Sequence, residues 1–323
     1  MQESAGNDPY GAYCEDGVPI LVTALDAPEY RQKLLSQTLM PPPSTRVITL
    51  ANQKGGVGKT TSTVNIAAGF AQQGFTTVVI DMDSQGNAST ALSVDRSTSQ
   101  LSMYDVMTDG CDLGKVLQEC PHVPGLFVAP STIELAGIDI ELFQHSDGMH
   151  RLYYAISEFL RHYESPDYIF IDCPPSLGLA TINSLVAADE VLVPLQAEYY
   201  SLEGLQQLRF TISKMKNSLN DQLNVSGILV TMYDARNNLS KDVYAEVYRA
   251  FPELVFQHVI PRSVRAAEAP SHQQTVMTMD PASPVSVAYL GAAVEIATHG
   301  ADNRRICSSF FLSDNVSAQE RTS

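Results

Sequence analysis

One short glycine-rich segment limits the possible folds of this chain more than any other feature. It reads QKGGVGKTT over residues 53–61, between a predicted strand at 47–51 and a predicted helix at 60–73. In such a loop successive backbone N–H groups turn inward around a phosphate, and the helix N-terminus adds a partial positive charge. Lys59 is positioned to reach β- and γ-phosphates, and the Thr60 hydroxyl to ligate Mg²⁺. The segment therefore predicts a P-loop nucleotide-binding site.

Strand-like and helix-like runs alternate after the loop, and the strand-like runs are apolar without regular polar alternation. Such strands are typical of a parallel sheet covered by helices on both faces. We therefore predict a doubly wound, mostly parallel α/β fold over residues 45–300. Further strands are predicted at 77–80, 126–129, 168–171, 191–195, 228–231 and 256–260. Further helices are predicted at 149–162, 179–188, 201–219, 239–251 and 285–297.

An arm of different composition lies on each side of this domain. Residues 1–44 are acidic, include one predicted helix at 26–38, and end with three consecutive prolines at 41–43. Consecutive prolines favour an extended linker, because they cannot donate backbone hydrogen bonds. Residues 301–323 are polar and rich in serine. Composition thus favours a loosely docked N-terminal arm and a mobile C-terminal tail.

Bulk composition restricts the compartment and the partners. With 44% hydrophobic and 17% charged residues over 323 positions, the chain is typical of a well-packed cytoplasmic protein, and no apolar run approaches the ~20 residues of a membrane span. The five cysteines are scattered and never spaced C-x-x-C, which argues against a disulfide framework or a zinc site. A metal cluster shared between subunits stays an alternative. The net charge of −16 provides no overall basic footprint, so any nucleic-acid contact must come from a local patch.

Acidic residues follow two of the predicted buried strands. Asp81 and Asp83 come after the strand at 77–80, and Asp172 follows the strand at 168–171. Open α/β sheets bind ligands at the carboxyl ends of their strands. A carboxylate there costs desolvation free energy unless it meets a cation, and Mg²⁺ on the nucleotide phosphates would be that cation. The alternative is that these acids only cap the helices that follow.

The loop departs from the ordinary P-loop pattern, because Gln53 stands where the first glycine belongs and a second lysine, Lys54, precedes the glycines. This K-G-G-x-G-K-T-T form is the deviant Walker A motif, and in it the chain resembles the ParA/MinD superfamily. The resemblance implies that Lys54 crosses a dimer interface to the partner's nucleotide and that ATP joins two subunits. Added cations would make two facing polyanionic nucleotides tolerable. The implied ATP contacts are Lys54, Gly55, Gly56, Val57, Gly58, Lys59, Thr60 and Thr61.

The acidic motifs resemble the switch I and Walker B segments of the same superfamily. By that match Asp83 positions the attacking water, while Asp81 and Asp172 organise Mg²⁺ through waters. The implied catalytic residues are Lys54, Lys59, Asp83 and Asp172, and the implied metal-site residues are Thr60, Asp81, Asp83 and Asp172. Phosphoryl transfer needs mainly positioning and charge stabilisation, and the sequence offers no strong general base. Slow ATP hydrolysis, suited to a switch, is therefore expected.

Four further stretches resemble chromosomal ParA proteins of the Soj group more than MinD; they are residues 172–181, 198–205, 231–239 and 259–265. The resemblance places Pro261 against the adenine and Ser263 beside the nucleotide, although the family often has asparagine at the latter position. It also assigns non-specific DNA binding by the dimer to Arg236, Arg262 and Arg265. Acidic and basic residues balance over 231–268, whereas 280–284 lacks an arginine often found in the family.

The resemblance implies a ParA-type partition ATPase in the cytoplasm and at the nucleoid. A homodimer formed on ATP binding would bind DNA non-specifically, and a ParB-like partner would release it by stimulating hydrolysis. One alternative is a ParA relative that positions a protein cargo. A MinD-like membrane-cycling ATPase needs a basic amphipathic C-terminal helix, which the interrupted run at 304–314 matches poorly, so no membrane partner is expected. A relative of the nitrogenase iron protein needs paired cysteines, and only Cys173 lies in a suitable segment.

Overall fold

The computed structural model describes residues 18–97, 100–198 and 201–300, and one sheet lies at the centre of them. Its strands are β1 (Arg46–Leu50), β2 (Thr77–Asp81), β3 (Gln118–Glu119), β4 (Leu126–Ala129), β5 (Tyr168–Asp172), β6 (Glu190–Gln196) and β7 (Asn224–Thr231). They lie in the order β3-β4-β2-β5-β1-β6-β7, and neighbouring strands are parallel except β3 and β4, which are antiparallel. The predicted doubly wound, mostly parallel α/β fold is confirmed.

Helices cover both faces of the sheet. They are α1 (Ala27–Leu35), α2 (Lys59–Gln72), α3 (Asn87–Ala91), α4 (Met103–Thr108), α5 (Leu113–Val116), α6 (Ile138–Leu142), α7 (Arg151–His162), α8 (Leu179–Ala187), α9 (Ser201–Ser218), α10 (Asn238–Ala250), α11 (Val264–Glu268), α12 (Val276–Met279) and α13 (Pro284–Gly300), with 3-10 turns at Ile133–Gly137 and Ala269–His272. Ile48 and Phe170 belong to the core under α2 and α13, whereas Ile169 and Val191 belong to the core under α7, α8 and α10. Because both faces are buried, the strands carry apolar side chains at successive positions.

The strand register brings the acidic motifs to the P-loop. Leu50 at the end of β1 and Asp81 at the end of β2 are both paired with Asp172 at the end of β5. The glycine-rich loop follows β1 directly, and α2 begins at Lys59. The parallel arrangement therefore places the loop and two of the three predicted acids at one edge of the sheet.

The predicted strand at 256–260 is wrong as a regular strand. Phe256 and Ile260 do donate backbone hydrogen bonds to β7, to the carbonyls of Ile228 (3.0 Å) and Val230 (2.9 Å). Between them the backbone N–H groups of Gln257 and His258 bond instead to the carboxylate of Glu295 on α13, at 2.9 and 2.8 Å. This buried carboxylate takes the His258 donor that a continuous ladder with β7 would need. The other predicted strands and the predicted helices are present with boundaries shifted by a few residues, whereas β3 and the short helices were not predicted.

The N-terminal arm packs closely onto the domain from residue 18 onward. Ile20 pairs in parallel with His258, donating to the carbonyl of Gln257 at 2.7 Å. Leu34 of α1 is fully buried in the core formed with α13. The Tyr30 hydroxyl lies 2.9 Å from Nε2 of His258, whose Nδ1 contacts Glu295. From residue 18 onward the arm is therefore packed against the domain through specific buried contacts, in contrast to the predicted loose docking.

Several predictions concern residues outside the described part of the chain. These are the first 17 residues of the arm, the tail at 301–323 with its run at 304–314, and Cys14 and Cys307. The division into arm, domain and tail at residues 44 and 300 stays a prediction. Within the described residues, none of the helices combines the length and the apolar character needed to cross a membrane.

Candidate nucleotide-binding site

The glycine-rich loop is held open by contacts from β6 and β7. Asn52 donates to the Pro194 carbonyl at 2.8 Å and accepts from the Lys54 backbone N–H at 3.0 Å. The Thr231 hydroxyl donates to the Val57 carbonyl at 2.8 Å. A Cβ added at Gly55 or Gly56 would meet nothing within 4 Å, so open space lies against both glycines. The loop therefore presents a braced curve of backbone at the start of α2, as phosphate binding requires.

Left-handed backbone explains two of the glycines. Gly56 has a φ of 74° and Gly58, the N-cap of α2, a φ of 88°. Side chains rarely adopt this conformation, whereas glycine adopts it without steric cost. Thr61 lies in the first turn of α2, and Gly58 accepts the helical hydrogen bond from Ser62 at 2.8 Å.

Lys59 points into the loop and is largely buried. Its side-chain ammonium donates to the Lys54 carbonyl at 3.3 Å, and the residue is only 7% exposed. Burial lowers the pKa of Lys59, while the neighbouring Asp172, Cys173 and Asp83 act in the opposite direction. A cation that has already lost most of its water is well suited to bind phosphate oxygens.

Lys54 contacts an acid of the same chain. Its Nζ lies 2.9 Å from Oε2 of Glu198, with 41% and 45% of the two side chains exposed. Gln196, at the end of β6, donates to the other oxygen of Glu198 at 2.6 Å. The lysine is thus held against the loop after β6, at a position from which it remains accessible to solvent.

Asp172 carries a buried oxygen with an unused lone pair. Its Oδ1 accepts from the Thr63 hydroxyl at 3.1 Å, and the nearby Thr60 hydroxyl acts to lower the pKa of the carboxyl. Its Oδ2 is buried and accepts no hydrogen bond. Burial, with the neighbouring Asp81 charge as the next cause, raises the pKa of Asp172 to about 8. A buried carboxylate oxygen beside the hydroxyl of Thr60 fits a Mg²⁺ ion, which prefers oxygen ligands.

Asp81 and Asp83 have different surroundings. Asp81 accepts from the backbone and hydroxyl of Ser89, at 2.8 and 2.6 Å, and from the Asp83 backbone at 3.2 Å. Complete burial raises its pKa to about 6. Asp83 is half-buried and accepts from the Gln85 backbone at 3.0 Å. Asp81 thus binds the first turn of α3, much as the alternative prediction of a helix-capping acid describes. Asp172 instead keeps one carboxylate oxygen without a hydrogen bond.

The three acids do not form a complete metal cage. Over residues 18–97, 100–198 and 201–300, no three His, Cys, Asp or Glu side chains are grouped to hold a metal ion. A Mg²⁺ ion at this site would therefore take further oxygen ligands from a nucleotide and from water. The Cys173 thiol and the Thr49 hydroxyl share a hydrogen bond of 2.9 Å. Complete burial raises the pKa of this thiol to about 11. In the described residues it has no cysteine partner for a cluster.

A cleft adjoins the first turn of α2. It has a volume of about 190 Å³ and is lined by residues that include Thr60, Thr61, Asn65, Ala266 and Gln274. Ala266 belongs to α11, whose N-cap Ser263 accepts from the Ala266 backbone at 3.3 Å. Pro261 precedes this helix and pairs with Tyr233 beyond β7. Pro261 and Ser263, the two residues predicted to lie beside the base, thus directly precede α11, and α11 forms one wall of the cleft.

The three predicted DNA-binding arginines are exposed, and two of them are paired with acids. Arg236 is 90% exposed and makes two hydrogen bonds of 3.0 Å with Asp234. These bonds lower the pKa of Asp234 to about 2, and the charge of exposed Arg262 contributes to the same shift. Arg265 is 64% exposed and contacts Asp280. The backbone pairing of Pro261 with Tyr233 brings Arg236 and Arg262 to one side of the domain, and Arg265 follows on α11.

Several residues that shape the site were not predicted. Asn52, Thr63 and Thr231 brace the loop or bond to Asp172, and Ser89 satisfies Asp81. Asn52 and Thr63 adjoin the glycine-rich segment, so their proximity was a usable signal. Thr231 is 174 residues from its partner Val57, and only the pairing of β6 with β7 brings it there.

Known proteins resemble this chain in sequence and in structure. Residues 45–225 match the family model of an AAA domain. The sporulation initiation inhibitor protein Soj of Bacillus subtilis is 44% identical over 255 residues, which are 79% of this chain and 99% of that protein. The chromosome partitioning protein ParA of Caulobacter vibrioides is 42% identical over 259 residues, 80% of this chain and 96% of that protein.

Solved structures resemble the chain over most of its length. Cobyrinic acid a,c-diamide synthase from Mycobacterium smegmatis, with bound ADP and magnesium, has a TM-score of 0.69 at 32% identity and covers 81% of this chain and 98% of its own. The cell division ATPase MinD of Pyrococcus furiosus has a TM-score of 0.63 at 21% identity, covering 78% of this chain and 98% of its own. At this low identity the second likeness concerns the fold alone.

Proposed function

Because the chain belongs to the ParA/MinD superfamily, in its Soj-like chromosomal ParA branch, we propose that it is a partition ATPase that works as an ATP-driven switch. ATP joins two copies, the dimer binds DNA non-specifically, and a ParB-like partner releases it by stimulating hydrolysis. One observation carries the nucleotide part of the proposal. Asp172 holds a buried oxygen without a hydrogen bond next to Thr60, at the open end of a braced glycine-rich loop.

The residues of this site suit ATP with Mg²⁺. Lys59 and the backbone of 55–61 would bind the phosphates, and Thr60 and Asp172 would hold the ion. When bound, Mg²⁺ supplies positive charge that neutralises the phosphate oxygens. Asp81 would act through the turn that it organises, and Asp83 would orient the attacking water. The cleft lined by Thr61 and Ala266 is the proposed seat of the nucleoside, with Pro261 and Ser263 beside it.

Hydrolysis by these groups is expected to be slow. Asp172 and Lys59 would hold the metal ion and the phosphates, so neither would be free to take a proton from water. Asp83 is a half-buried carboxylate suited to orient a water molecule, not a strong base. A long-lived ATP state is what a switch requires, because the lifetime of the dimer then depends on a partner.

Dimerisation would move Lys54 from one contact to another. In the single chain its ammonium lies against Glu198. Exposed ion pairs of this kind contribute only about 0–1 kcal/mol, so the phosphates of a partner's ATP can compete for the lysine. Lys54 would then neutralise charge where two nucleotides face each other.

DNA binding would rest on the patch of Arg236, Arg262 and Arg265. The net charge of −16 opposes an approach of the whole chain to DNA, so the patch must work locally and in two copies. Binding of this kind reads the phosphate backbone without sequence specificity. It would place the protein at the nucleoid.

The decisive experiment measures DNA binding against salt concentration with ATP, ADP or no nucleotide. Wild type is compared with Arg236→Ala/Arg265→Ala and with Arg161→Ala, a control that removes another exposed arginine paired with an acid. We expect ATP-specific binding that weakens steeply with salt, is lost in the double variant and is retained in the control. If ATP joins two copies but no DNA binding appears at low salt, DNA is not the surface to which the dimer binds. A protein cargo or a membrane then becomes the candidate binding partner.

A further inference from the structure

A row of apolar side chains faces solvent on the turns that precede and form α6. Ile133, Ile140 and Phe143 are 63%, 75% and 87% exposed, and Ala136 is exposed between them. These four residues, which we call the apolar stripe, recur at every third or fourth position and therefore share one face of the helical turns.

The fold itself does not need the apolar stripe. The opposite face of the same turns supplies Leu135, Ile138 and Leu142 to the core, and these are only 1% to 2% exposed. Single exposed apolar residues are common, whereas an aligned set with this exposure is a candidate interaction surface. The apolar stripe is thus available to a partner without loss of the core.

The support beneath the apolar stripe is rigid. The Tyr104 hydroxyl of α4 donates one hydrogen bond shared between the two carboxylate oxygens of Glu141, at 2.9 and 3.1 Å. Asp139 accepts from the Leu179 backbone, at the start of α8, at 2.8 Å. This bond ties α6 to the start of α8, which follows Asp172 after residues 173–178. A preorganised surface loses little entropy when a partner binds.

The charge around the apolar stripe has a single sign. Glu134 and Asp139 are exposed, and Glu141 is half-buried. The sequence from 116 to 150 contains no lysine or arginine, and Arg151, which follows, is paired with Asp147 at 3.1 Å. Two copies meeting here would bring like charges together, and acidic lipid headgroups would be repelled. A cationic partner is favoured instead.

We propose that the apolar stripe is the docking site for a cationic amphipathic helix of a partner protein. The helix would place apolar residues on Ile140 and Phe143 and lysines or arginines against Glu134 and Asp139. This mode matches a helix laid against an apolar surface through side chains at every third or fourth position. The proposal goes beyond the proposed function, because none of these residues belongs to the nucleotide or DNA contacts. It holds whether or not the dimer binds DNA.

The test uses the full chain and three labelled synthetic peptides. One has leucines at helical spacing with lysines elsewhere, the second replaces the lysines by glutamates, and the third has the first composition in scrambled order. Fluorescence anisotropy measures their binding to wild type, to Ile140→Ser/Phe143→Ser, and to the control Leu25→Ser/Met40→Ser. The control removes two apolar side chains, 91% and 70% exposed, from the N-terminal arm. Because all four side chains are exposed, both variants should melt as wild type does.

We expect the lysine peptide to bind wild type and the control alike, and to bind the stripe variant at least about tenfold more weakly. Glu134→Gln should weaken binding several-fold, with a smaller salt dependence. Equal binding to the stripe variant and the control would overturn the proposal, as would equal binding of the glutamate or scrambled peptide. Self-association of wild type that the stripe variant loses would assign the surface to a second copy, and vesicle binding that the stripe variant loses would assign it to lipid.

Discussion

Replacing Asp172 by asparagine isolates the energetic cost of a buried acid that waits for a cation. The side chain is fully buried, one oxygen has no hydrogen-bond partner, and Asp81 lies at the paired position of the neighbouring strand. Asparagine keeps the shape and can still accept from Thr63, but it carries no charge. In the absence of Mg²⁺ the substitution should therefore stabilise the folded chain at alkaline pH.

The magnitude follows from the two protonation equilibria. The pKa of Asp172 is raised by burial from 3.8 to about 8 in the folded chain. Between these values the folded chain holds more protons than the unfolded chain, so the free energy of unfolding falls as pH rises through the window. The difference sets an upper limit of about 6 kcal/mol on this loss. An asparagine amide without a partner costs about 1 kcal/mol, so the net gain above pH 8 should be on the order of 2–4 kcal/mol.

Urea unfolding with EDTA and no nucleotide measures this effect at pH 6 and at pH 8.5. Wild type should lose stability between the two values, and Asp172→Asn should lose much less. Glu158→Gln, which removes a carboxylate that is 55% exposed, should follow wild type and so corrects for general charge repulsion. With Mg²⁺ and ATP the order should reverse, since only wild type gains from binding. Equal pH dependence in wild type and Asp172→Asn would refute the reasoning from burial.

Three further predictions concern contacts outside the buried acids. Glu198→Gln should release Lys54 and so strengthen ATP-dependent dimerisation measured by sedimentation velocity, with less than about 1 kcal/mol change in unfolding free energy, whereas Lys54→Ala should prevent dimerisation. A Glu198→Gln protein that dimerises more weakly than wild type would contradict this. Tyr30→Phe should lower the unfolding free energy by about 1 kcal/mol, because His258 loses a hydrogen bond, and an unchanged thermal midpoint would show that the arm adds no stability there. Asp234→Asn should raise DNA affinity several-fold at low salt, because it frees Arg236 from its ion pair. The gain should vanish when Arg236→Ala is added. A gain that survives in the double variant would mean that the lost negative charge, and not the arginine, is responsible.

Much of the fold could be predicted from the sequence because its signals are local. The apolar run before Gln53, the glycines with positive φ and the helix that begins at Lys59 are neighbours in the chain. The same holds for acids that directly follow a buried strand, such as Asp81 and Asp172. Strand–helix alternation then predicts a parallel sheet, and a parallel sheet gathers the carboxyl ends of its strands. These steps need no knowledge of long-range packing.

The roles of the individual acids depended on tertiary contacts. The sequence motifs of Asp81 and Asp172 are alike, yet their hydrogen bonds differ. Ser89 donates to one oxygen of Asp81 and the Asp83 backbone to the other, while Asp172 keeps a buried oxygen without a hydrogen bond. Lys54 has the motif position of a partner contact, but its contact in the single chain is with Glu198, 144 residues away. The outcome in each case depends on which side chain the packing brings within hydrogen-bonding distance.

The sequence by itself determined that this chain has a nucleotide loop on a parallel α/β sheet and the motifs of a Soj-like ParA protein. The tertiary structure alone decided that the run at 256–260 is not a strand, because the Glu295 carboxylate reaches it from α13. It also decided that α1 docks on His258 and that the apolar stripe faces solvent. Propensity and motif act over a few residues, whereas burial and hydrogen-bond competition are settled between residues that are distant in the chain and meet only after folding.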